Sequence, residues 1–430
     1  METIFAVSSG APPAAIAVLR LSGADAFGAV ESLVGALPEP RRASLRALRD
    51  PADGTLLDRA LLLVFRAPHS ATGEDLVELH LHGGRAVVRA TEAVLGRMPG
   101  LRAAEPGEFT RRALANGRID LSEAEGLGDL LMAETESQRR VALRAAEGGV
   151  RREVERWRMA LLGLSAEIEA ALDHSDEGDV ADSTGSASTL PARAARLASE
   201  IEAAVARPPV ERLRDGLHIV LAGPPNAGKS TLLNALAGRE AAIVSPQAGT
   251  TRDRIEIPVV RDGTAYVLTD TAGLADATDD AIEAIGIARA RTAIETADML
   301  LWLGEDSPPP HPQVIWVHAR ADLAERQADA AAKDISVSSF DVDSVEALWA
   351  LVGTRAGSLL PPLDHVALNA RQRALLGEAA GALRAASREG DELIVAEHLR
   401  AGLRAFDAVT GRASTEAMLD SLFARFCIGK

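Results

Sequence analysis

One stretch limits the fold more than any other: Gly223-Pro-Pro-Asn-Ala-Gly-Lys-Ser230. It matches G-x-x-x-x-G-K-[ST], follows the apolar run Leu217–Ala222, and leads into Thr231-Leu-Leu-Asn-Ala-Leu. Strand, loop and helix in that order are the setting in which such a loop binds phosphate. Its glycines let backbone N–H groups close around an anion, and the helix N-terminus adds a positive dipole. The nucleotide-binding set read here is Asn226, Ala227, Gly228, Lys229, Ser230 and Thr231. Lys229 is placed to reach the β- and γ-phosphates and Ser230 to ligate Mg²⁺.

Two further elements follow in order. Gly249-Thr-Thr-Arg-Asp253 supplies Thr250 and Thr251; the Thr251 hydroxyl can ligate Mg²⁺ and sense the γ-phosphate. Asp270-Thr-Ala-Gly273 ends a strand read at Tyr266–Thr269. Asp270 would hold a Mg²⁺-bound water, and the Gly273 N–H would bond the γ-phosphate. Together these point to GTP rather than to a generic phosphate ligand. The base-reading loop departs from the usual N-K-x-D: it reads Ala319-Arg320-Ala321-Asp322 after the strand Val314–His318. Asp322 can accept two hydrogen bonds from guanine, and Arg320 can stack over the base. The Asn that would contact the base and tie this loop to the phosphate loop is missing, which predicts weakened affinity. Ser338-Ser339 is the last base-contacting loop. Leu274 stands where a water-orienting Gln is common, so another group must orient water, or catalysis is poor. Glu283 is a candidate by position, although spacing alone favours a solvated helix glutamate.

A chain of 430 residues exceeds one compact core, so two or three domains are expected. The formal charge of −16 argues against a general nucleic-acid-binding surface. The lone Cys427 excludes an intramolecular disulfide and fits a cytoplasmic setting. Met1-Glu-Thr-Ile-Phe-Ala-Val has no basic n-region, which argues against a signal peptide, and no apolar run approaches the length a membrane span requires. The first 110 or so residues alternate strands (Ala14–Leu21, Leu61–Phe65, Leu76–Leu81) with helical spacing over Arg85–Met98, an α+β pattern. Helices rich in Ala, Leu, Glu and Arg run from Thr110 to about Ala206, broken by a loop at Asp176–Pro191. From Leu217 to about Val352 the alternation predicts a parallel α/β sheet, with Gly304–Pro312 as a loop inside it. Helices return from Asn369. The simplest arrangement is an α/β domain inserted between two halves of a helical domain.

Further short motifs run along the chain: Leu19-Arg-Leu-Ser-Gly23, Thr72-Gly-Glu-Asp75, His82-Gly-Gly84, Pro106-Gly-Glu-Phe-Thr110, Arg118-Ile-Asp-Leu121, Ile168-Glu-Ala-Ala-Leu-Asp173, Gly238-Arg-Glu-Ala-Ala-Ile-Val244 and the terminal Cys427-Ile-Gly-Lys430. With these and the phosphate loop, the chain resembles the MnmE/TrmE family of tRNA modification GTPases. The resemblance implies an N-terminal folate-binding and dimerisation domain at 1–116, a helical domain at 117–209 and 363–430, and a Ras-like P-loop GTPase domain at 210–362. It implies K⁺-assisted hydrolysis upon pairing of GTPase domains, with Asn226 as K⁺ ligand and oxygens near Ser245, Gln247 and Thr250 completing the shell. It makes Glu283 the main candidate for water activation. It assigns Arg20, Glu78, Arg118 and Lys430 to a 5-formyl- or 5,10-methylene-tetrahydrofolate. Arg118 replaces a Lys of the family, turning a compact ammonium into a planar fork. Cys427 is read as positioning Lys430, with a nucleophilic role as the lesser alternative. The implied partners are a second copy in a homodimer, and an FAD-containing MnmG-type protein in a heterotetramer that engages tRNA at wobble uridine 34. A ribosome-assembly GTPase, and a folate-dependent one-carbon transferase with a passive G domain, are the rival readings.

Overall fold

The computed structural model describes residues 2–174, 189–238, 256–271, 290–323, 333–412, 416–424, 426, 428 and 429. The chain forms two compact units, one of residues 1–128, 151–156 and 403–430, the other of residues 129–150 and 157–402.

The first unit is built on six strands: β1 (Thr3–Val7), β2 (Ile16–Ser22), β3 (Ser44–Arg49), β4 (Leu56–Phe65), β5 (Leu76–His82) and β6 (Leu101–Ala103). Their order is β3-β4-β5-β2-β1-β6, antiparallel except for the β1–β6 pair. Alternation sets the faces. Val77, Leu79 and Leu81 of β5 are buried with Leu19, Leu21 and Leu62, while Glu78, His80 and His82 occupy the other side. Helices α1 (Ala26–Val34) and α2 (Arg85–Leu95) cover the apolar face through Val30, Leu33, Val88 and Leu95. β3 escaped the sequence reading because arginines interrupt it at Arg46 and Arg49; it is an edge strand, where charge blunts further pairing.

Two of the sequence motifs prove to serve one buried arginine. Arg112, on α3 (Glu108–Ala115), is 6% exposed. Its guanidinium donates to Glu74 Oε2 at 3.0 Å, Glu108 Oε1 at 3.0 Å and the Glu2 carbonyl at 2.9 Å. Ser22 Oγ donates to Glu74 Oε2 at 2.7 Å, and Arg102 forks onto Glu108. Thr72-Gly-Glu-Asp75 and Pro106-Gly-Glu-Phe-Thr110 thus each contribute a carboxylate to a satisfied network. Burial raises the Glu108 pKa, but hydrogen bonds from Arg102, the Glu105 N–H and Arg112 outweigh it and hold the carboxyl down to about 2. The tail docks on the same unit. Ser8 Oγ donates to the Gly429 carbonyl at 2.7 Å, and Pro106 bridges Ile428. Gly429 has φ 92°, and a Cβ there would lie 2.1 Å from the Val7 carbonyl oxygen, so only glycine fits.

The second unit combines helices with an α/β sheet. α4 (Leu121–Met132) and α6 (Gly149–His174) are divided between the two units, while α5 (Glu136–Ala146), α7 (Leu190–Val205) and the short α8 (Glu211–Arg214) lie in the second. α5 opens with a capping box between Thr135 and Gln138. Gln138 also donates to the Leu213 and Arg214 carbonyls at 3.0 Å each. Beyond the sheet, α11 (Ala370–Ala386) packs on α7, with Arg373 Nε on the Val205 carbonyl at 3.0 Å and Arg384 on Glu202 at 2.6 Å. The segments on either side of the α/β sheet therefore close on each other. α12 (Glu392–Thr410) is divided between the units at residue 403, and α13 (Glu416–Phe423) belongs to the first.

The sheet holds β7 (Leu217–Ala222), β8 (Glu256–Arg261), β9 (Thr264–Asp270), β10 (Met299–Trp302), β11 (Val314–Ala319) and β12 (Ile335–Val337) in the order β12-β11-β10-β7-β9-β8. It is not fully parallel as expected. β8 runs antiparallel to β9 through Asp262-Gly263, both at positive φ (49° and 75°), a two-residue hairpin turn. α9 (Lys229–Ala237) and α10 (Val342–Ala356) cover one face through Leu232, Leu236, Leu348 and Val352. The helical stretch 290–296 covers part of the other through Ala293 and Ile294.

Parallel strands are usually joined by a helix, yet residues 303–313 between β10 and β11 contain none. The Pro-rich loop is pinned instead. Trp302 Nε1 donates to the Asp306 carbonyl and Trp316 Nε1 to the Gly304 carbonyl, each at 2.8 Å, and Lys333 pairs with Glu305. Two half-buried indoles stand where a helix would cover the sheet.

Arg112→Ala leaves the partly buried Glu74 without its cation and takes one of two arginines from Glu108, so its expected cost is about 3–5 kcal/mol, read as an earlier melting transition of the full chain. The folded pKa of Glu108 lies below its ordinary 4.5. Its stabilisation is therefore full above that value and is lost as pH falls toward 2. Glu108→Gln should flatten the melting curve's pH dependence in that window.

Candidate functional site

The site is set by three strand ends. β7 pairs in parallel with β9 and β10, with Leu221 opposite Asp270 and Ala222 opposite Trp302. The carboxyl ends of the strands thus open at one edge, where ligands bind in open α/β sheets. The phosphate loop leaves β7 there and enters α9 at Lys229. Gly228 precedes the helix at φ 94°. The residues around it line a cavity of about 1320 Å³ that includes Gly228, Lys229, Ser230, Thr231, Arg320 and Asp322.

Several read residues come together here. Lys229 is 6% exposed, and its ammonium donates to the Gly223 and Pro224 carbonyls at 3.0 and 2.9 Å. A buried cation held by carbonyls of its own loop is ready to exchange them for phosphate oxygens. Ser230 Oγ donates to Asp270 Oδ2, joining α9 to the end of β9. Thr271 fastens that end: its N–H and hydroxyl both donate to the Leu221 carbonyl, at 3.2 and 2.9 Å. A hydroxyl and a buried carboxylate in contact at a helix N-terminus form an oxygen donor set suited to a hard cation such as Mg²⁺.

The base loop lacks the Asn that usually ties it to the phosphate loop. Instead the Arg320 guanidinium donates to the Asn226 carbonyl at 3.2 Å. Both residues sit at φ 60°, a left-handed conformation that costs a non-glycine residue roughly 1–3 kcal/mol. The strained positions of the two loops are thus the ones that touch. Gly228 leaves room for the arginine stem, since a Cβ there would lie 3.3 Å from Arg320 Cγ. Asp322 is exposed on the cavity wall. Ser338 is buried: its N–H donates to Ser344 Oγ at 3.1 Å, and Ser344 Oγ donates back to its carbonyl at 3.0 Å. Ser339 lines the cavity.

In the first unit, Arg20 and Glu78 face each other across β2 and β5, with Arg20 Nε donating to Glu78 Oε1 at 2.8 Å. His80 Nε2 lies 3.4 Å from Glu78 Oε2. Arg118 is exposed beside Gly73, next to Thr72, which hydrogen-bonds Ser22 two residues along from Arg20. Ser245, Gln247, Thr250, Thr251, Gly273, Glu283, Cys427 and Lys430 lie outside the described residues. The Arg320–Asn226 contact was not read from the sequence, although a long cation within a base-reading loop was its signal.

Strand, phosphate loop and strand-end aspartate define a P-loop GTPase domain. Residues 3–118 match the family described as GTP-binding protein TrmE N-terminus, and residues 121–427 match the MnmE helical domain. A relative from Erythrobacter litoralis, a tRNA modification GTPase MnmE, is 56% identical over 100% of both chains. Another of the same name, from Rhizorhabdus wittichii, is 57% identical over 100% of this chain and 97% of its own. The chain belongs to the MnmE family of tRNA modification GTPases.

Arg320→Ala should weaken GDP binding by up to about tenfold, the worth of one charge-assisted hydrogen bond near the surface. Arg320→Lys should recover part of it. Isothermal titration of the two variants checks this.

Proposed function

We propose that this chain hydrolyses GTP at the Gly223–Ser230 loop and uses the cycle to modify C5 of wobble uridine 34 in tRNA, together with an FAD-containing partner of the MnmG type. The observation that carries the reading is the convergence of Lys229, Ser230 and Asp270 at one sheet edge, in a chain whose full length aligns with tRNA modification GTPases. Lys229 would neutralise charge on the β- and γ-phosphates. Ser230, Thr251 and Asp270 would hold Mg²⁺, which supplies charge neutralisation between the phosphates. Asp322 would accept the guanine N–H donors, and Glu283 would orient the attacking water. Asn226, with oxygens of Ser245, Gln247 and Thr250, would hold K⁺, which supplies positive charge where other GTPases use an arginine.

The first unit is read as the homodimerisation and folate module. Arg20, Glu78, Arg118 and Lys430 would bind a 5-formyl- or 5,10-methylene-tetrahydrofolate, the source of the one-carbon unit. Because Arg20 already pairs with Glu78, the ligand would share or replace that ion pair. The docked Gly429 supports a place for Lys430 on this unit. With a net charge of −16, the chain leaves most of the tRNA contact to its partner. In the cell it is read as cytoplasmic; among the described residues no helix is long and apolar enough to cross a membrane.

Movement at the nucleotide edge has a physical route to the helices. At the other end of the sheet, Asp298 accepts from the His218 N–H at 3.1 Å and from Arg212 of α8 at 2.8 Å. α8 is in turn held by Gln138 of α5. A second reading, a folate-dependent transferase with a weak G-domain switch, draws on Ala319 in place of the usual Asn.

GTP turnover measured in matched KCl and NaCl tests the proposal. Strong stimulation by K⁺, abolished in Asn226→Ala, is expected; equal turnover in the two salts removes cation-assisted hydrolysis. Asp270→Ala should end turnover, and wobble-uridine modification that persists in this variant would favour the second reading.

A further inference from the structure

At the base end of the cavity stands a side chain that neither the phosphate contacts nor Asp322 uses. Phe340 is 84% exposed, yet it lines the same cavity as Gly228, Lys229, Arg320 and Asp322. Its backbone is held firmly. The Phe340 N–H donates to Ser338 Oγ at 3.3 Å, the Asp341 N–H donates to the Ser338 carbonyl at 3.1 Å, and Ser344 Oγ closes the loop. Asp341 then caps α10 by accepting from the Asp343 N–H. A fixed loop thus presents a bare ring.

The strand register brings the two loops side by side. β11 and β12 pair with Ala319 opposite Val337, and the Ala321 N–H donates to the Val337 carbonyl at 3.2 Å, carrying the contact past the strand ends. Past the strand ends, Arg320 and Asp322 of one loop and Ser339 and Phe340 of the other line the same cavity. An apolar ring in water next to a carboxylate that reads a purine edge gains by being covered.

We propose that Phe340 is the base-stacking residue of this nucleotide site: its ring packs against the purine whose edge Asp322 reads, and supplies affinity that Ala319 cannot. The inference rests on the guanine-site reading and adds a contact blind to base identity, because every purine has a π face. Selectivity stays with Asp322.

The two contributions separate experimentally. GDP, IDP and ADP are titrated into the full-length protein and its Phe340→Ala, Phe340→Tyr and Asp322→Asn variants. Phe340→Ala is expected to weaken GDP and IDP by the same factor, about five- to one-hundredfold, leaving their ratio unchanged. Phe340→Tyr should stay within about twofold of the parent, since the ring persists. Asp322→Asn should change the GDP to IDP ratio, because IDP lacks the exocyclic amine. An exposed ring supports no core, so the melting temperature of Phe340→Ala should match that of the parent. Unchanged GDP affinity in Phe340→Ala overturns the proposal, as does a ratio that shifts with Phe340. A parent protein that binds ADP as well as GDP would overturn the guanine reading instead; an equal loss of both in Phe340→Ala would still support stacking.

Discussion

Parallel pairing of β7 with its neighbours β9 and β10 is the constraint on which the rest depends. It brings the phosphate loop, Asp270 and the turn after Trp302 to one edge, although 80 residues separate Ala222 from Trp302. Thr271 secures the arrangement with two bonds to a single carbonyl, that of Leu221. Register matters because a slip of one residue in β9 would turn Asp270 to the opposite face of the sheet. Ser230 would lose its carboxylate partner, and the oxygen donors would no longer lie together.

The molecule handles buried charge in two ways. Around Arg112 every carboxylate is matched, and the network closes on itself; such networks stabilise one arrangement and leave little to offer a ligand. Around Lys229 the ammonium donates to carbonyls of its own loop, acceptors that can be exchanged for better ones. The contrast separates a structural arginine from a functional lysine, even though both are about 6% exposed. The Arg20–Glu78 pair lies between these cases, half-exposed and accessible to a ligand that carries both signs of charge.

The α/β sheet also shows how a fold survives the loss of a usual part. With no helix between β10 and β11, Trp302 and Trp316 cover sheet surface and spend their indole N–H groups on carbonyls of the loop that replaced it. The base loop shows the same kind of substitution, with Arg320 making the connection that an Asn would have made. In both places a long side chain from a neighbouring position spans the gap.

Local chemistry was legible in the residues alone: the strand–loop–helix around Lys229, the Asp270 strand end, the alternation of β5 and the helical stretches, because these depend on neighbours within a few residues. It also carried the Asp262-Gly263 turn signal that makes β8 antiparallel, which the reading of a continuous parallel sheet passed over. Only the tertiary structure decided that Glu74 and Glu108 serve Arg112, that Arg20 is spoken for by Glu78, that Arg320 reaches Asn226, and that Ser338 is buried while Phe340 faces the cavity. Each of these pairs residues far apart in the chain or turns on burial. A sequence lists the charges and rings available, but which of them meet, and which remain open to a ligand, is set by the packing that brings the strands into register.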